Sequence, residues 1–484
     1  MLAPINRIPP EVLTLIPDSS EKSYKNRGVI PLTHVCRAWR KVFISHSPLW
    51  THFDCKNADK MRVYLERSRS SPISLQMHRK GDLSPHHPLF QVIPHAATRL
   101  KTLSVRTSPE NIGHIITHLS RPSPPLQYLS IDCGPGLGSK PVLTTALFDG
   151  NLSSLRDLCL LNVHTALPWR NMVNLTSFTL GYTSPRGVSI GQILDFLESA
   201  PRLESVELRY ATPTSGAQDG RLVSLPCLKS MRIRKGEPCS LLLDHLLVPV
   251  GAELAIRADS IALRLERHLP RSLDNLGNLS GSMEINLNFE EFRPKARFSG
   301  PNGQVSVAFQ FPRVNLTFPV LEYLAWIDTS KTERLEIKNG DSPSRDLAHR
   351  ALLRMKNLRT LSLSRCQNSH FIHALHPDTG SSEAVVCPKL EELIFVPRIT
   401  GERTDIENLT DMTTARALCG ATLKTIRFFG TLGNLYQDSL SELRKHVLHV
   451  EYVPWIGASD DDSDDSDEED GDSDGSDDSD DDWW

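Results

Sequence analysis

One short phrase of apolar and variable positions recurs along this chain: an apolar residue, two variable ones, an apolar, one variable, an apolar. It reads Leu100/Leu103/Val105, Leu126/Leu129/Ile131, Leu155/Leu158/Leu160, Leu175/Phe178/Leu180, Leu203/Val206/Leu208 and Leu228/Met231/Ile233. It returns as Leu321/Leu324/Trp326, Leu358/Leu361/Leu363, Leu390/Leu393/Phe395 and Leu423/Ile426/Phe428. The apolar–polar alternation at the end of each phrase is strand chemistry, because successive side chains leave a strand on opposite faces. Successive starts in the first six phrases lie 26, 29, 20, 28 and 25 residues apart, and the last three steps are 37, 32 and 33. Several phrases follow a stretch of helical period, such as residues 190–200 before Pro201-Arg202-Leu203. The pattern predicts an α/β chain of repeated strand–helix units.

A strand-plus-helix unit repeating every 20 to 35 residues or so resembles the leucine-rich-repeat family. The resemblance implies an irregular solenoid, expected over 55–458, whose strands line a concave side. The family's polar position after the phrase is occupied by Cys366, while Asn162 and Cys133 fall one residue early. Between Ile233 and Leu321 the phrase fades, although Leu254-Ala255-Ile256, Ile285-Asn286-Leu287 and Val305-Ser306-Val307-Ala308-Phe309 still alternate like strands. Residues 292–304 carry Pro, Gly and charge and read as a loop or hairpin. The region about 234–320 is either an irregular insertion among degenerate repeats or a break between two shorter solenoids. Upstream, residues 59–68 read as a helix and 72–77 as a first, capping strand.

In such a solenoid the residues flanking the buried strand positions face the concave side. Early and middle units place Arg106, Asp132, Glu207, Arg209, Arg232 and Arg234 there, a net-basic strip. Later units place Tyr323 and Ile327, then Ile394 and Val396, then Phe429. Apolar side chains facing out of a strand ladder suggest a protein-binding patch, so these five are candidate substrate-binding residues. The alternative is that the segment after Leu443, with Val447, Leu448, Val450 and Tyr452, folds back over Ile394, Val396 and Phe429 as a cap.

The first fifty residues follow a different pattern. Ile8-Pro9-Pro10-Glu11-Val12-Leu13 places proline and an acid where a helix start favours them. Val12, Leu13 and Ile16 then recur at helical spacing, and Leu32, Val35, Cys36 and Trp39 recur at i, i+3, i+4, i+7, one apolar stripe. Pro48-Leu49-Trp50 follows. These motifs, (I/L)-P-x-E-V-L, V-C-R-x-W-R and a later Leu-Trp, resemble an F-box over 1–54. The resemblance implies docking on the Skp-type adaptor of a cullin-based SCF ubiquitin ligase. It puts Ile8, Pro9, Glu11, Val12, Leu13, Ile16, Leu32, Val35 and Cys36 at or under the adaptor interface, with Trp39 beside them. The chain departs from the family after Ile16, where Pro17 is expected to end the first helix early and a polar stretch follows.

Charge divides the molecule. Of its 58 acids, 16 fall within 459–484, where there is no base; this leaves 42 acids against 54 bases before that point, a body near +12. The tail is expected to be disordered. It reads as a solubilising segment, a mask for basic surface, or a phosphorylation platform at Ser459, Ser466 and Ser479, each with an acid three residues on. The basic body could contact phosphates, but the tail would compete, so nucleic acid is not an expected partner. Nine widely spread cysteines, none in C-x-x-C, fit neither a disulfide framework nor a zinc knuckle. No stretch approaches a membrane span, and no signal core follows Met1, so a cytosolic or nuclear protein is expected. No nucleophile elbow, P-loop or H-E-x-x-H occurs, and His370, His373 and His376 are not read as a metal site. The sequence therefore points to a non-enzymatic substrate receptor without a cofactor. The rival is a leucine-rich-repeat scaffold or acidic-tailed binding module with no ligase role.

Overall fold

Nine of the ten apolar phrases bury all three of their apolar side chains and run into strands of one 17-stranded sheet. The computed structural model describes Pro9, Val12, Leu13 and residues 29–453, except 55–56, 79–87, 120–121, 135–140, 144–146, 151, 166–171, 183–187, 211–219, 235–238, 259–266, 271, 280–282, 290–293, 302, 310–316, 341–342, 367, 378–384, 397–405 and 430–436. The acidic segment 459–484 lies outside the described residues.

The sheet strands are β1 (His52–Asp54), β2 (Ile73–His78), β3 (Leu100–Arg106), β4 (Tyr128–Asp132), β5 (Asp157–Leu161) and β6 (Ser177–Gly181). They continue as β7 (Ser205–Arg209), β8 (Ser230–Arg234), β9 (Glu253–Ala258), β10 (Met283–Asn288), β11 (Lys295–Gly300) and β12 (Gly303–Phe309). The last five are β13 (Thr332–Lys338), β14 (Thr360–Ser364), β15 (Glu392–Val396), β16 (Thr425–Phe429) and β17 (His449–Val453). Among the described residues the helices are α1 (Val29–Leu32), α2 (Arg37–Ser45), α3 (Ala58–Arg67), α4 (Pro88–Ala97), α5 (Pro109–His118) and α6 (Ile190–Ser199). They are followed by α7 (Ser240–Leu243), α8 (Thr317–Trp326), α9 (Arg345–Leu353), α10 (Ser369–Leu375), α11 (Ile406–Leu418) and α12 (Gln437–Leu443).

From β1 to β9 each strand pairs in parallel with the next in chain order, and β13 to β17 do the same. No pairing among the described residues links β17 back to β1, so the sheet is open. A recurring turn sets the register. The N–H groups of Leu126, Leu155, Leu175, Leu203, Leu228, Leu358 and Leu390 each donate to the carbonyl three residues back, at 3.0–3.2 Å. The phrase's first leucine is thereby driven into the core just before its strand begins. Past the strand end, Asn162, Tyr182, Tyr210, Asn339 and Arg365 all adopt left-handed φ of 52° to 57°. Such a conformation costs a non-glycine residue about 1 kcal/mol or more. Each of these residues spends that strain on one more ladder bond, its N–H reaching a neighbouring strand's carbonyl at 2.6–2.9 Å.

The fading phrase between Ile233 and Leu321 marks a local inversion within one continuous sheet. Strand β12 pairs in parallel with β9, β11 runs antiparallel to both β12 and β10, and β10 pairs in parallel with β13. The order across this region is therefore β9–β12–β11–β10–β13, and the ladder does not break. Buried Asn278 pins it, its Nδ2 donating to Ala252 O (2.8 Å) and Gln304 O (3.1 Å). Glycine is needed beside it: a Cβ on Gly300 would lie 2.5 Å from the Asn278 carbonyl, and one on Gly303 2.8 Å from the Asn278 Cβ.

Along each typical strand alternate residues are buried and the others half-exposed. One hydrophobic core runs without interruption from Val29 to Val447. Two expectations fail. Leu321/Leu324/Trp326 belongs to helix α8, not to a strand. The i, i+3 spacing of the phrase also fits a helix, and Val320, Leu321, Tyr323, Leu324 and Ile327 are buried at helical spacing. Tyr323 and Ile327 therefore line the core and are not surface contacts; the Tyr323 hydroxyl donates to Pro270 O at 3.2 Å. The strand of this unit lies farther on, where Leu335 and Ile337 of β13 take the buried positions. The segment after Leu443 is no lid either. It continues the sheet edge, with Val450 beside Ile426 and Tyr452 beside Phe428.

Tyr323→Ala should cost about 3–5 kcal/mol of stability, as for other large buried rings, against about 0.5 kcal/mol or less for Arg232→Ala on the exposed side of β8. Urea unfolding midpoints compare the two, and equal midpoints would return Tyr323 to the surface. A second expectation concerns acid. Buried His268 is pushed down to about 4 by desolvation and by the charge of Arg267. Its unfolded value is about 6.5, so the unfolded chain binds a proton first as pH falls. Stability should be unaffected at pH 7 and should drop by up to about 3 kcal/mol between pH 6.5 and 4. His268→Leu should flatten that part of the pH–stability curve, and an unchanged slope would contradict the assignment.

Candidate docking surfaces

The N-terminal helical unit is built on a helix break. Leu32, Val35, Cys36 and Trp39 do not share one helix as their spacing predicts. α1 ends at Leu32, and Cys36 has an extended backbone (φ −158°, ψ 172°) and caps α2, its Sγ accepting from Trp39 N at 3.5 Å. Arg40 holds the corner through Nε donating to Thr33 O at 2.9 Å, and Thr33 Oγ1 donates to Ile30 O at 2.7 Å. Thiol capping wins here because a helix start leaves backbone N–H groups without partners. In consequence Val35 turns outward, 51 % exposed, while Leu32 and Cys36 are half-buried.

Leu13, Trp39 and Phe43 form a small cluster of their own, rimmed by Leu32, Cys36, Val42 and Leu49. The Trp39 and Phe43 rings lie 5.6 Å apart. Val12, next to Leu13, is 49 % exposed. The carbonyl of exposed Pro9 accepts from Val12 N and Leu13 N, both at 3.1 Å. Ile8, Glu11 and Ile16 lie outside the described residues. Leu49 comes from the Leu-Trp pair, whereas Phe43 and Val42 lie outside the motifs; Phe43 sits four residues after Trp39, a spacing that could have found it.

Trp50 ties this unit to the sheet. Fully buried, it donates from Nε1 to Phe43 O (2.8 Å), meets Tyr64 of α3 edge-on at 5.0 Å, and lies under the Arg67 guanidinium at 4.3 Å. A buried indole with its N–H satisfied, against an aromatic and beneath a cation, is a strong local anchor.

The second surface is the half-exposed face of the sheet. Across β3 to β6 it carries small polar groups such as Ser104, Ser130 and Thr179. Glu207 receives Arg209 at 2.8 Å and Arg234 at 3.3 Å, and its hydrogen bond raises the Arg209 pKa. Arg106 pairs with Asp132 at 3.4 Å. The Tyr182 and Tyr210 rings stack 4.8 Å apart just past β6 and β7. Toward the other end the face turns apolar: Ile394 and Val396 of β15 and Phe429 of β16 are half-buried on it, Ile394 in register with Ser362 and Arg427. Arg427 bridges Glu392 (2.6 Å) and Glu451 (2.7 Å) beside them. Of the five residues assigned to substrate, these three share the face, and Tyr323 and Ile327 do not.

Burial pushes Cys239 and Cys387 up to about 12 and also raises Cys159, so the reactive thiolate is disfavoured at these three. His370 and His376 engage the backbone carbonyls of Pro343 and Pro377. Among the described residues no group of three or more His, Cys, Asp or Glu is placed to hold a metal ion, and no helix is long and apolar enough to cross a membrane. No protein-family model matches the chain, and no curated protein matches it.

Val12→Asp/Val35→Asp should leave the urea midpoint near wild type, since both positions are exposed, whereas Trp50→Ala should cost about 3–5 kcal/mol. A comparable fall in all of them would place the two valines inside the fold.

Proposed function

We propose that the chain is the substrate-recognition subunit of an SCF-type E3 ubiquitin ligase. The N-terminal unit docks the Skp-type adaptor that links to the cullin, and the half-exposed face of an irregular leucine-rich-repeat solenoid takes a protein substrate. The observation that carries the reading is the meeting of three sequence motifs in one small unit. Leu13 from I-P-x-E-V-L, with Cys36 and Trp39 from V-C-R-x-W-R, surround one cluster, and Trp50 of the Leu-Trp pair fastens that unit to the sheet. Val12 and Val35 from the same motifs stay outside it with large exposed surfaces. Support for the solenoid comes from strand pairing in chain order with one repeated turn at seven of the phrases. On this reading the chain performs no chemistry of its own; it holds a substrate in a fixed position for transfer by its partners.

One observation favours a scaffold without a ligase role. Val29 and Trp50 belong to the main core, as the residues of a terminal cap would. The two readings separate on adaptor binding. The purified chain should bind a Skp-type adaptor, and Val12→Asp/Val35→Asp should weaken that binding by about 100-fold or more, because each variant buries an unpaired charge at the interface. Absence of binding by the wild-type chain, or equal binding by the double variant, would leave the scaffold reading.

A further inference from the structure

The sheet ends on β17, which pairs with β16 on one side; among the described residues no strand pairs with its outer edge. At the β1 end Trp50 fastens a helical unit to the sheet, whereas no described element follows Val453. The dry row loses its cover here. Val450 and Tyr452 stand beside buried Ile426 and Phe428, yet Val450 is only half-buried and Tyr452 is 45 % exposed. Leu448, just before the strand, is 74 % exposed. Stacked repeats bury their apolar rows against neighbours, so a last strand that still presents one lacks a neighbour. The backbone points the same way. His449 N donates to Lys424 O at 2.8 Å, so in this parallel ladder the backbone groups of His449, Glu451 and Val453 face β16 and those of Val450 face the open edge.

We infer that a second copy of this chain covers the edge, β17 pairing antiparallel with β17 across a two-fold axis. The strand is self-complementary in one register. With Val450 opposite the second copy's Val450, Leu448 meets its Tyr452 on the apolar side, and His449 sets an imidazole against its Glu451 on the other. Symmetry makes each of the last two contacts twice. Glu451 holds Arg427 through Oε2, so Oε1 is the atom that faces the imidazole. Other registers that keep the apolar side together are poorer. Sliding one strand by two residues opposes the two Glu451 carboxylates, and sliding it by four sets Val450 against Pro454, which has no N–H to give. The acidic segments do not oppose the pairing. Val453 falls opposite the second copy's Val447, six positions from that copy's Val453. The two segments therefore leave about 20 Å apart, beyond the roughly 8 Å over which charge acts at physiological salt. The N-terminal unit sits at the β1 end, so the inference stands whether or not that unit docks an adaptor.

Sedimentation velocity on the full chain tests it. A strand-edge contact is a small interface, so the wild-type chain should pass reversibly from monomer to dimer between about 1 and 100 µM. Val450→Pro removes an N–H that faces the edge and none that faces β16, and it should weaken the dimer about tenfold or more. His449→Glu opposes two carboxylates twice in the dimer and should weaken it about tenfold. Melting temperatures near wild type check that both variants are folded. His449→Glu alters only an exposed side chain, so it carries the test if the proline variant does not fold. A wild-type chain that stays monomeric at the highest concentration overturns the inference, and that is the result expected if residues 454–458 or a different protein cover the edge. Wild-type dimer strength in either folded variant overturns it as well.

Discussion

Everything else in this molecule depends on an in-register ladder of strands with one row of side chains kept dry. Strands β2 to β16 each contribute at least two buried positions, such as Leu158 and Leu160 of β5 beside Phe178 and Leu180 of β6. The buried row supplies the hydrophobic driving force, and the ladder fixes where the opposite row points. A slip of one residue would exchange the two rows. At β5, β6, β7 and β14 the tight turn before the strand and the left-handed residue after it limit that slip from both ends, so stability and surface chemistry are specified by the same set of bonds.

The same ladder explains how separate surfaces are held at fixed positions. Trp50 joins the N-terminal cluster to α3 and the first strands, and the inverted hairpin at β10–β12 carries the pairing from β9 to β13 without a gap. Side chains at one end of the sheet are therefore connected to those at the other through packed residues, with no intervening linker in the ladder. A receptor that must present a bound protein at a set distance from a partner needs that kind of connection.

Much of this was legible in the sequence, for a specific physical reason. Nine phrases could be read because alternation and the preceding leucine both reported the same strand. Leu321/Leu324/Trp326 misled because a spacing of three is shared with a helix, and there the alternating segment Arg334-Leu335-Glu336-Ile337-Lys338 was the true strand. The helix break at Cys36 was hidden for a related reason: the heptad-like spacing of Leu32 to Trp39 survives in sequence although a thiol cap interrupts the helix. The strand order β9–β12–β11–β10–β13 could not be read at all, since it depends on a buried asparagine and two glycines whose contacts are distant in sequence. On the candidate surfaces, alternation correctly put Ile394, Val396 and Phe429 outward, and it failed for Tyr323 and Ile327 only because the element type was misread.

Native-state hydrogen exchange across the inverted hairpin tests the continuity of the ladder most directly. If one uninterrupted sheet carries the molecule, amides of β10 and β12 paired to β13 and β9 should exchange as slowly as those of β13 and β14, and adding dilute denaturant should not release the hairpin first. Fast exchange confined to β10–β12, with β1–β9 and β13–β17 unfolding as two independent blocks, would contradict it.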